Sequence, residues 1–184
     1  VQNIIKTIEP HDSVERFTEL GVNCVQGDAK ILSPWEVEVN GHTLTAKNIV
    51  IATGARPRVP DIPGLAALDY LTSDTVWDIR DLPRRLLVVG AGPIGCELAQ
   101  SFARLGSKVT LVTHADRLLP REDTEGSERV HAECRRQHVK VHANYNPLFF
   151  DAAENEQTCV FSTPRGQREL SFDRVLLAVG RSAN

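Results

Sequence analysis

Three glycines with a characteristic spacing carry the clearest chemical signal in the sequence. Gly90, Gly92 and Gly95 form the pattern GAGPIG between an apolar run and a segment with helical periodicity. In such a strand–turn–helix context the first glycine permits a tight turn, the second lets a pyrophosphate approach the backbone, and the third lets the helix pack closely on the strand. Free N–H groups and the helix dipole then favour phosphate charge. The pattern predicts a dinucleotide-binding site.

The first turn of the predicted helix supports the same site. Pro93 suits this position, because a missing N–H costs nothing in the first helical turn. We predict that Pro93 and Ile94 contribute to the cofactor site together with the glycines. Apolar residues recur at helical spacing, so the helix is expected to dock on a sheet through Ile94, Leu98, Phe102 and Leu105.

The end of the second strand bears on the choice of nucleotide. An acidic residue there would bind the ribose hydroxyls of NAD. Thr113 occupies that place and cannot make the charged contact. His114 and Arg117 follow closely and could meet the 2′-phosphate of NADPH. These residues favour NADPH over NADH, although ordinary solvated loop positions explain His114 and Arg117 equally well.

The elements around the glycine pattern alternate between strand and helix. A βαβαβ order predicts a parallel sheet with right-handed crossovers. Hairpin-like strands follow, with a turn at 164–166, before a final continuous apolar strand. The predicted strands are 85–89, 108–113, 139–143, 148–153, 158–163, 168–172 and 174–180, and the predicted helices are 92–105 and 124–138.

The residues before position 82 predict a second, smaller unit. Ser13 is the predicted N-cap of a short helix at 13–20, and Gly21 is its predicted C′ residue, just past the helix end. Asn40-Gly41 is a strong hairpin signal between two alternating strands. The continuous apolar run 48–53 predicts a strand buried on both faces. The remaining predictions are strands at 22–27, 29–32, 35–39 and 42–46, a loop at 54–64 and a short helix at 72–79.

Two parts of the sequence resemble one another. LTAKNIVIATGARP, from Leu44, and LSFDRVLLAVGRSA, from Leu170, align without gaps. Each segment follows meander-like strands and carries an apolar strand that ends in glycine. We infer two copies of one nucleotide-binding architecture, the first of which lacks its N-terminal half.

Composition excludes several classes of protein. The 184 residues carry a net charge of −3, which gives no nucleic-acid signal. No apolar run is long enough to span a membrane, and no signal peptide opens the chain. The four cysteines are isolated, which predicts buried thiols in a reducing cytoplasm. Because the sequence contains no methionine, we expect it to be a piece of a longer protein.

The sequence gives less support to three other functions: a metal site, a short-chain dehydrogenase and a dinucleotide sensor. His131, Cys134 and His138 have a spacing that could place three metal ligands on one helix face, with His142 following. A buried cysteine among surface histidines is the favoured interpretation, so we predict no metal site. A short-chain dehydrogenase would need a Tyr-x-x-x-Lys pair, which the sequence lacks. A non-catalytic module that senses a dinucleotide stays open, because the glycine pattern alone would serve it.

Three ordered motifs resemble the flavoprotein pyridine nucleotide-disulfide oxidoreductases, the family of dihydrolipoamide dehydrogenase, glutathione reductase and mercuric reductase. They are ATGARPRVP, GAGPIGCELAQSFARLGSKVTLV and DRVLLAVGRSAN. The resemblance implies an α/β, Rossmann-like NAD(P)H-binding domain (a parallel sheet plus a β-meander) at 82–180. It also implies the C-terminal half of a similar FAD-binding domain at 1–81, to which 181–184 return.

The resemblance also implies roles for individual residues. Ala29 matches a position where the family's backbone meets the adenine of FAD, and Thr53 and Gly54 match a segment that approaches FAD. Gly180 and Arg181 are expected near the nicotinamide and the flavin. Glu97 matches a glutamate beside the flavin ring and is the candidate catalytic residue; a carboxylate stabilised by the helix dipole explains it as well.

The implied reaction is hydride transfer from NAD(P)H to FAD, and from there to a disulfide or another small acceptor. The family's CxxxxC disulfide and its C-terminal dimerisation domain have no counterpart in this sequence. We therefore expect the chain to be inactive alone and its parent protein to be a homodimer.

Overall fold

The structure, a computed structural model, describes residues 2–153 and 156–184 and contains two compact units, Val1–Thr53 and Gly54–Asn184. The division falls well before residue 82, because the segment that follows Gly54 packs within the second unit. The Leu71 N–H donates to the Val175 carbonyl and the Leu177 N–H to the Leu71 carbonyl, both at 2.8 Å. The assignment of residues 1–81 to FAD and 82–180 to NAD(P)H stays a prediction.

The first unit has two short helices and an antiparallel meander. The Ser13 hydroxyl accepts a hydrogen bond from the Arg16 N–H at 3.2 Å, so the predicted N-cap is confirmed. Asn40 and Gly41 have φ of 52° and 76°, which suits the predicted two-residue hairpin. The elements are α1 (Gln2–Ile8), α2 (Val14–Glu19), β1 (Ala29–Ser33), β2 (Glu36–Val39) and β3 (His42–Thr45).

Three predicted elements are wrong. Residues 22–27 and 48–53 form no strand, and the helix at 72–79 is reduced to a 3-10 turn, Val76–Asp78. Val50 is 87% exposed and Ile51 68% exposed, although a continuous apolar run predicted burial. A continuous apolar run is therefore not sufficient evidence of burial, which also requires neighbours on both faces of a strand.

The second unit is built on a four-stranded parallel sheet in the order β11-β5-β6-β7, with a separate antiparallel sheet in the order β10-β9-β8. Both the parallel sheet and the meander were predicted. The elements are β4 (Ala55–Pro57), β5 (Arg85–Val89), α3 (Pro93–Leu105), β6 (Lys108–Val112), α4 (Thr124–Arg136), β7 (Lys140–His142), β8 (Asn146–Ala153), β9 (Glu156–Thr163), β10 (Gly166–Phe172), β11 (Arg174–Leu177) and β12 (Arg181–Ala183).

Alternate side chains of β5 enter two different cores. Leu86 and Val88 belong to the core that includes Cys96, Ala99 and Phe102 of α3. Leu87 and Val89 belong to the core on the other face of the sheet. The meander covers that core with three phenylalanines, Phe150, Phe161 and Phe172. The unit thus has a helix layer, a parallel sheet and a meander layer, which confirms the α/β fold class.

The buried face of α3 differs from the predicted one. Phe102 is buried and Leu98 packs against the core as expected, but Leu105 is 67% exposed, and the other buried residues of α3 are small: Gly95, Cys96 and Ala99. Small side chains let the helix axis approach the sheet, which a stripe of leucines would prevent. The sequence periodicity alone therefore placed the interface too far toward the larger residues.

A short antiparallel pair joins the equivalent segments of the internal repeat. Arg181 pairs with Pro57, Ser182 with Arg56 and Ala183 with Ala55, which forms the β4–β12 ladder. Each strand directly follows the glycine at the end of the apolar run in its copy of the repeat, Gly54 or Gly180. The predicted strand 174–180 therefore ends early at Leu177, and the chain begins β12 after Gly180.

Candidate functional site

The glycine turn lies at the carboxyl edge of the parallel sheet, at the end of its first strand. The Gly90 N–H donates to the Val112 carbonyl of β6, and the Ala178 N–H donates to the Val89 carbonyl of β5, both at 2.8 Å. From β5 the chain continues to β6 on one side and returns by β11 on the other. The turn thus occupies the topological switch point, where ligands of open α/β sheets bind.

The three glycines face different surroundings. Gly90 has φ of 106°, and a Cβ there would lie 2.4 Å from the Ala178 carbonyl oxygen. A Cβ on Gly95 would lie 1.9 Å from the Gly90 carbonyl oxygen, whereas a Cβ on Gly92 would meet nothing within 4 Å. Two glycines therefore serve the packing of the protein itself, and Gly92 leaves an open space on the outer side.

One side of the turn, at Ala91, is held by hydrogen bonds, and the other side, from Gly92 to Gly95, is open. The buried Ala91 carbonyl accepts from the Leu119 N–H at 2.8 Å and from the Cys96 thiol at 3.6 Å. In front, the Ile94 and Gly95 amides belong to the first turn of α3, where amides have no intrahelical acceptor. Pro93 is exposed and Ile94 half-buried. A pyrophosphate fits this arrangement of space and donors.

The residues after β6 have distinct environments. Thr113 is buried, its N–H donates to the His142 carbonyl at 3.0 Å, and its hydroxyl accepts from the Ala115 N–H at 3.2 Å. His114 is exposed. The Arg117 guanidinium supports the loop before α4, where it donates at 2.8–3.3 Å to the carbonyls of Pro120, Glu122 and Asp123.

Arg181 connects three segments of the second unit. Its guanidinium donates to the Ser73 hydroxyl at 2.9 Å, lies 3.5 Å from a carboxylate oxygen of Asp74, and donates to the Ala55 carbonyl. The adjacent Gly180 carbonyl accepts from the Arg58 N–H at 3.0 Å. Sequence reasoning missed the partners of Arg181, because they lie far from it along the chain.

The other candidate residues lie on both units. Glu97 is exposed one turn into α3, two residues after Gly95, and its backbone carbonyl accepts from the Ser101 hydroxyl at 2.8 Å. Ala29 begins β1 and Thr53 ends the first unit, both exposed. Gly54 opens the second unit with φ of 71°. The roles of these four residues toward FAD stay predictions.

The cysteines form no disulfide, and three of the four are buried. All four are free, and Cys96, Cys134 and Cys159 are buried. Burial raises the pKa of the Cys96 and Cys159 thiols to about 12 and also raises the pKa of Cys134. Among residues 2–153 and 156–184, no group of three or more histidine, cysteine or acidic side chains could hold a metal ion.

We expect a thiol reagent to discriminate among these cysteines. In the native chain at neutral pH, Ellman's reagent should react rapidly with Cys24 alone, because it is only half-buried, whereas the other three thiols are buried and protonated. All four thiols should react after denaturation in urea. More than one rapid equivalent from the native chain would contradict the described core.

Comparison with known proteins identifies the family. Residues 4–184 match the model of the pyridine nucleotide-disulphide oxidoreductases. The chain therefore belongs to this family, whose members are FAD-dependent oxidoreductases that use NAD(P)H. The predicted family is confirmed.

Individual relatives cover almost the whole chain. A mercuric reductase of Lysinibacillus sphaericus is 37% identical over 98% of the chain, and a dihydrolipoyl dehydrogenase of Mycoplasma pneumoniae is 39% identical over 87%. The HOCl-induced flavoprotein disulfide reductase RclA from Escherichia coli has a TM-score of 0.70 at 28% identity over 98% of the chain. The matched regions make up only 33%, 35% and 43% of these proteins.

Within the described residues, none of the helices combines the length and the apolar character needed to cross a membrane.

Proposed function

We propose that this chain is the central part of an FAD-dependent enzyme that takes hydride from NAD(P)H and passes electrons to a disulfide or another small acceptor. The glycine turn is the observation that supports the proposal. Hydrogen bonds to the Ala91 carbonyl fix one side of the turn, and the other side, at Gly92, is open. The relatives named mercuric reductase and dihydrolipoyl dehydrogenase support a redox function.

In this proposal the chain positions its ligands and supplies electrostatics. The Ile94 and Gly95 amides and the dipole of α3 hold the pyrophosphate of NAD(P)H. Gly180 and Arg181 border the nicotinamide side, with Arg181 acting through its bonds to Ser73 and Asp74. When bound, the nicotinamide and the flavin supply the hydride chemistry.

We assign the proposed contacts to FAD on the basis of the resemblance. Ala29 approaches the adenine, and the backbone of Thr53 and Gly54 approaches the flavin nucleotide. Glu97 lies beside the flavin ring; its exposure on α3 leaves the carboxylate accessible for such a contact.

The nucleotide preference is expected to depend on the loop after β6. His114→Ala should weaken NADPH binding two- to fivefold, about 0.5–1 kcal/mol for an exposed charge contact, and leave NADH binding unchanged. Arg117→Ala should also weaken NADPH binding, because in this proposal its guanidinium moves from the loop carbonyls to the 2′-phosphate. Calorimetric titration with both nucleotides measures the difference, and equal losses for NADH and NADPH would refute this assignment.

A non-catalytic dinucleotide sensor is the second candidate. The observation in its favour is that the four cysteines of the chain are isolated and free, so they offer no dithiol to reduce a disulfide. For the same reason we expect the chain alone to reduce no disulfide. A sensor would bind NAD(P)H without a bound flavin.

One experiment separates the two functions. The chain is titrated with NADH and NADPH by calorimetry, and the longer protein is purified and mixed anaerobically with the preferred nucleotide. The enzyme proposal predicts that a bound flavin is bleached as it is reduced. Nucleotide binding without any flavin would favour the sensor, and no nucleotide binding would reject both.

Two further proposals concern the longer protein. We propose that it is a homodimer, as the family resemblance implies. We also propose that it is cytoplasmic, since four free cysteines suit a reducing compartment. Sedimentation of the longer protein, with cell fractionation, tests both.

A further inference from the structure

A cavity of about 390 Å³ lies away from the glycine turn, beside the starts of strands β5, β6 and β7. Its walls include backbone and side chains of the parallel sheet, the end of α3 and the segment after α4. On the meander side, half-buried Leu170 of β10 contributes an apolar wall. The volume is within the range of small-molecule sites.

The lining of this cavity is cationic. Its charged or titratable members are Arg85, Lys108, Lys140, His138 and His142, and none of the lining residues is acidic. The whole chain carries a net charge of −3, so this surface departs from the average of the protein.

Arg85 already has partners. Its guanidinium lies 2.8 Å from a Glu156 carboxylate oxygen and 2.8 Å from one of Asp173. Among the described residues, Lys108 and Lys140 form no ion pair. These two lysines therefore supply the uncompensated charge of the cavity.

The two lysines share one face of neighbouring strands. Lys140 is directly opposite Thr110 in the β6–β7 register, and Lys108 lies two residues before Thr110, so all three side chains point to the same side. Like charges in such positions repel one another. The charge of Lys140 also reaches His142, whose pKa is lowered by burial and then by that lysine.

We propose that Lys108, Lys140 and the Thr110 hydroxyl bind a phosphate dianion carried by a small phosphomonoester. Two ammonium groups and a hydroxyl supply several donors to one dianion, which relieves the repulsion between the lysines. The cavity beside Leu170 accommodates a small apolar or planar body attached to the phosphate. This site is independent of the proposed redox function.

The test is an amide-resolved NMR titration of the chain with inorganic phosphate and with phenyl phosphate. Shifts should concentrate at 108–110 and 140–142, and phenyl phosphate should bind more tightly if the ester body is recognised. The double variant Lys108→Gln, Lys140→Gln should weaken binding at least about tenfold. High salt should weaken binding too, because both lysines are exposed.

A matched control removes the same charge elsewhere. Lys30→Gln, Lys47→Gln changes two exposed lysines of the first unit and should leave phosphate binding unchanged. Equal affinity for both probes would overturn the phosphomonoester and leave a site for free phosphate only. The proposal is overturned if 108–110 and 140–142 do not shift, if shifts occur only at 90–95, or if the double variant binds like the control. Unchanged amide positions outside the site show that the variants are folded.

Discussion

Gly92→Ala is expected to raise the Kd for NAD(P)H at least tenfold, about 1.4 kcal/mol, with little effect on folding. The added methyl group meets no protein atom within 4 Å, so it enters the space that we assign to the pyrophosphate. The backbone of Gly92 is extended, with φ of −74°, which alanine adopts readily. Gly92 is the N-cap residue of α3, and alanine is a poorer N-cap than glycine. We therefore expect the free energy of unfolding to fall by no more than about 1 kcal/mol.

Calorimetric titration and urea unfolding measure the two quantities on the same protein. Gly126→Ala, in the first turn of α4, is the matched control, because the atoms nearest to its added methyl group belong to the Asp123 side chain, at 3.4 Å or more. The control should bind nucleotide normally. Wild-type affinity in the Gly92 variant would remove the glycine turn from the nucleotide site.

Gly95→Ala is expected mainly to lower the stability of the protein, whereas Gly92→Ala mainly weakens nucleotide binding. Its Cβ would lie 1.9 Å from the Gly90 carbonyl oxygen, a backbone atom that cannot move without displacing the turn or α3. Overpacking of this kind costs about 3 kcal/mol. We therefore expect a large loss of stability, with any loss of nucleotide binding following from the displaced turn.

Urea unfolding followed by circular dichroism measures the loss against the wild-type chain. The Gly126→Ala control should stay within about 1 kcal/mol of wild type, since alanine is the better helix former. If Gly95→Ala unfolds at the wild-type urea concentration, the close approach of α3 to β5 is misplaced.

The parts of the site that sequence predicted depend on local pattern. The turn between β5 and α3 needs three glycines at set positions, and their spacing can be recognised within six residues. The parallel sheet likewise followed from the alternation of strand and helix. Both features were therefore readable before any tertiary contact was known.

The parts that sequence missed depend on distant partners. The run 48–53 has the composition of a buried strand, yet it forms no strand and Val50 is 87% exposed. The bonds of Arg181 to Ser73 and Ala55 join residues more than a hundred positions apart. The bonds of Arg117 to three loop carbonyls were likewise not readable from residue type, and its role toward the 2′-phosphate stays a prediction.

If the turn at Gly90–Gly95 holds the linked phosphates of a nicotinamide dinucleotide, its backbone amide resonances should respond to the addition of NADPH. We expect saturable shifts at Gly92, Ile94 and Gly95, which are lost in Gly92→Ala. Saturable binding that leaves these three amides unmoved, or no binding by either nicotinamide nucleotide, would contradict it.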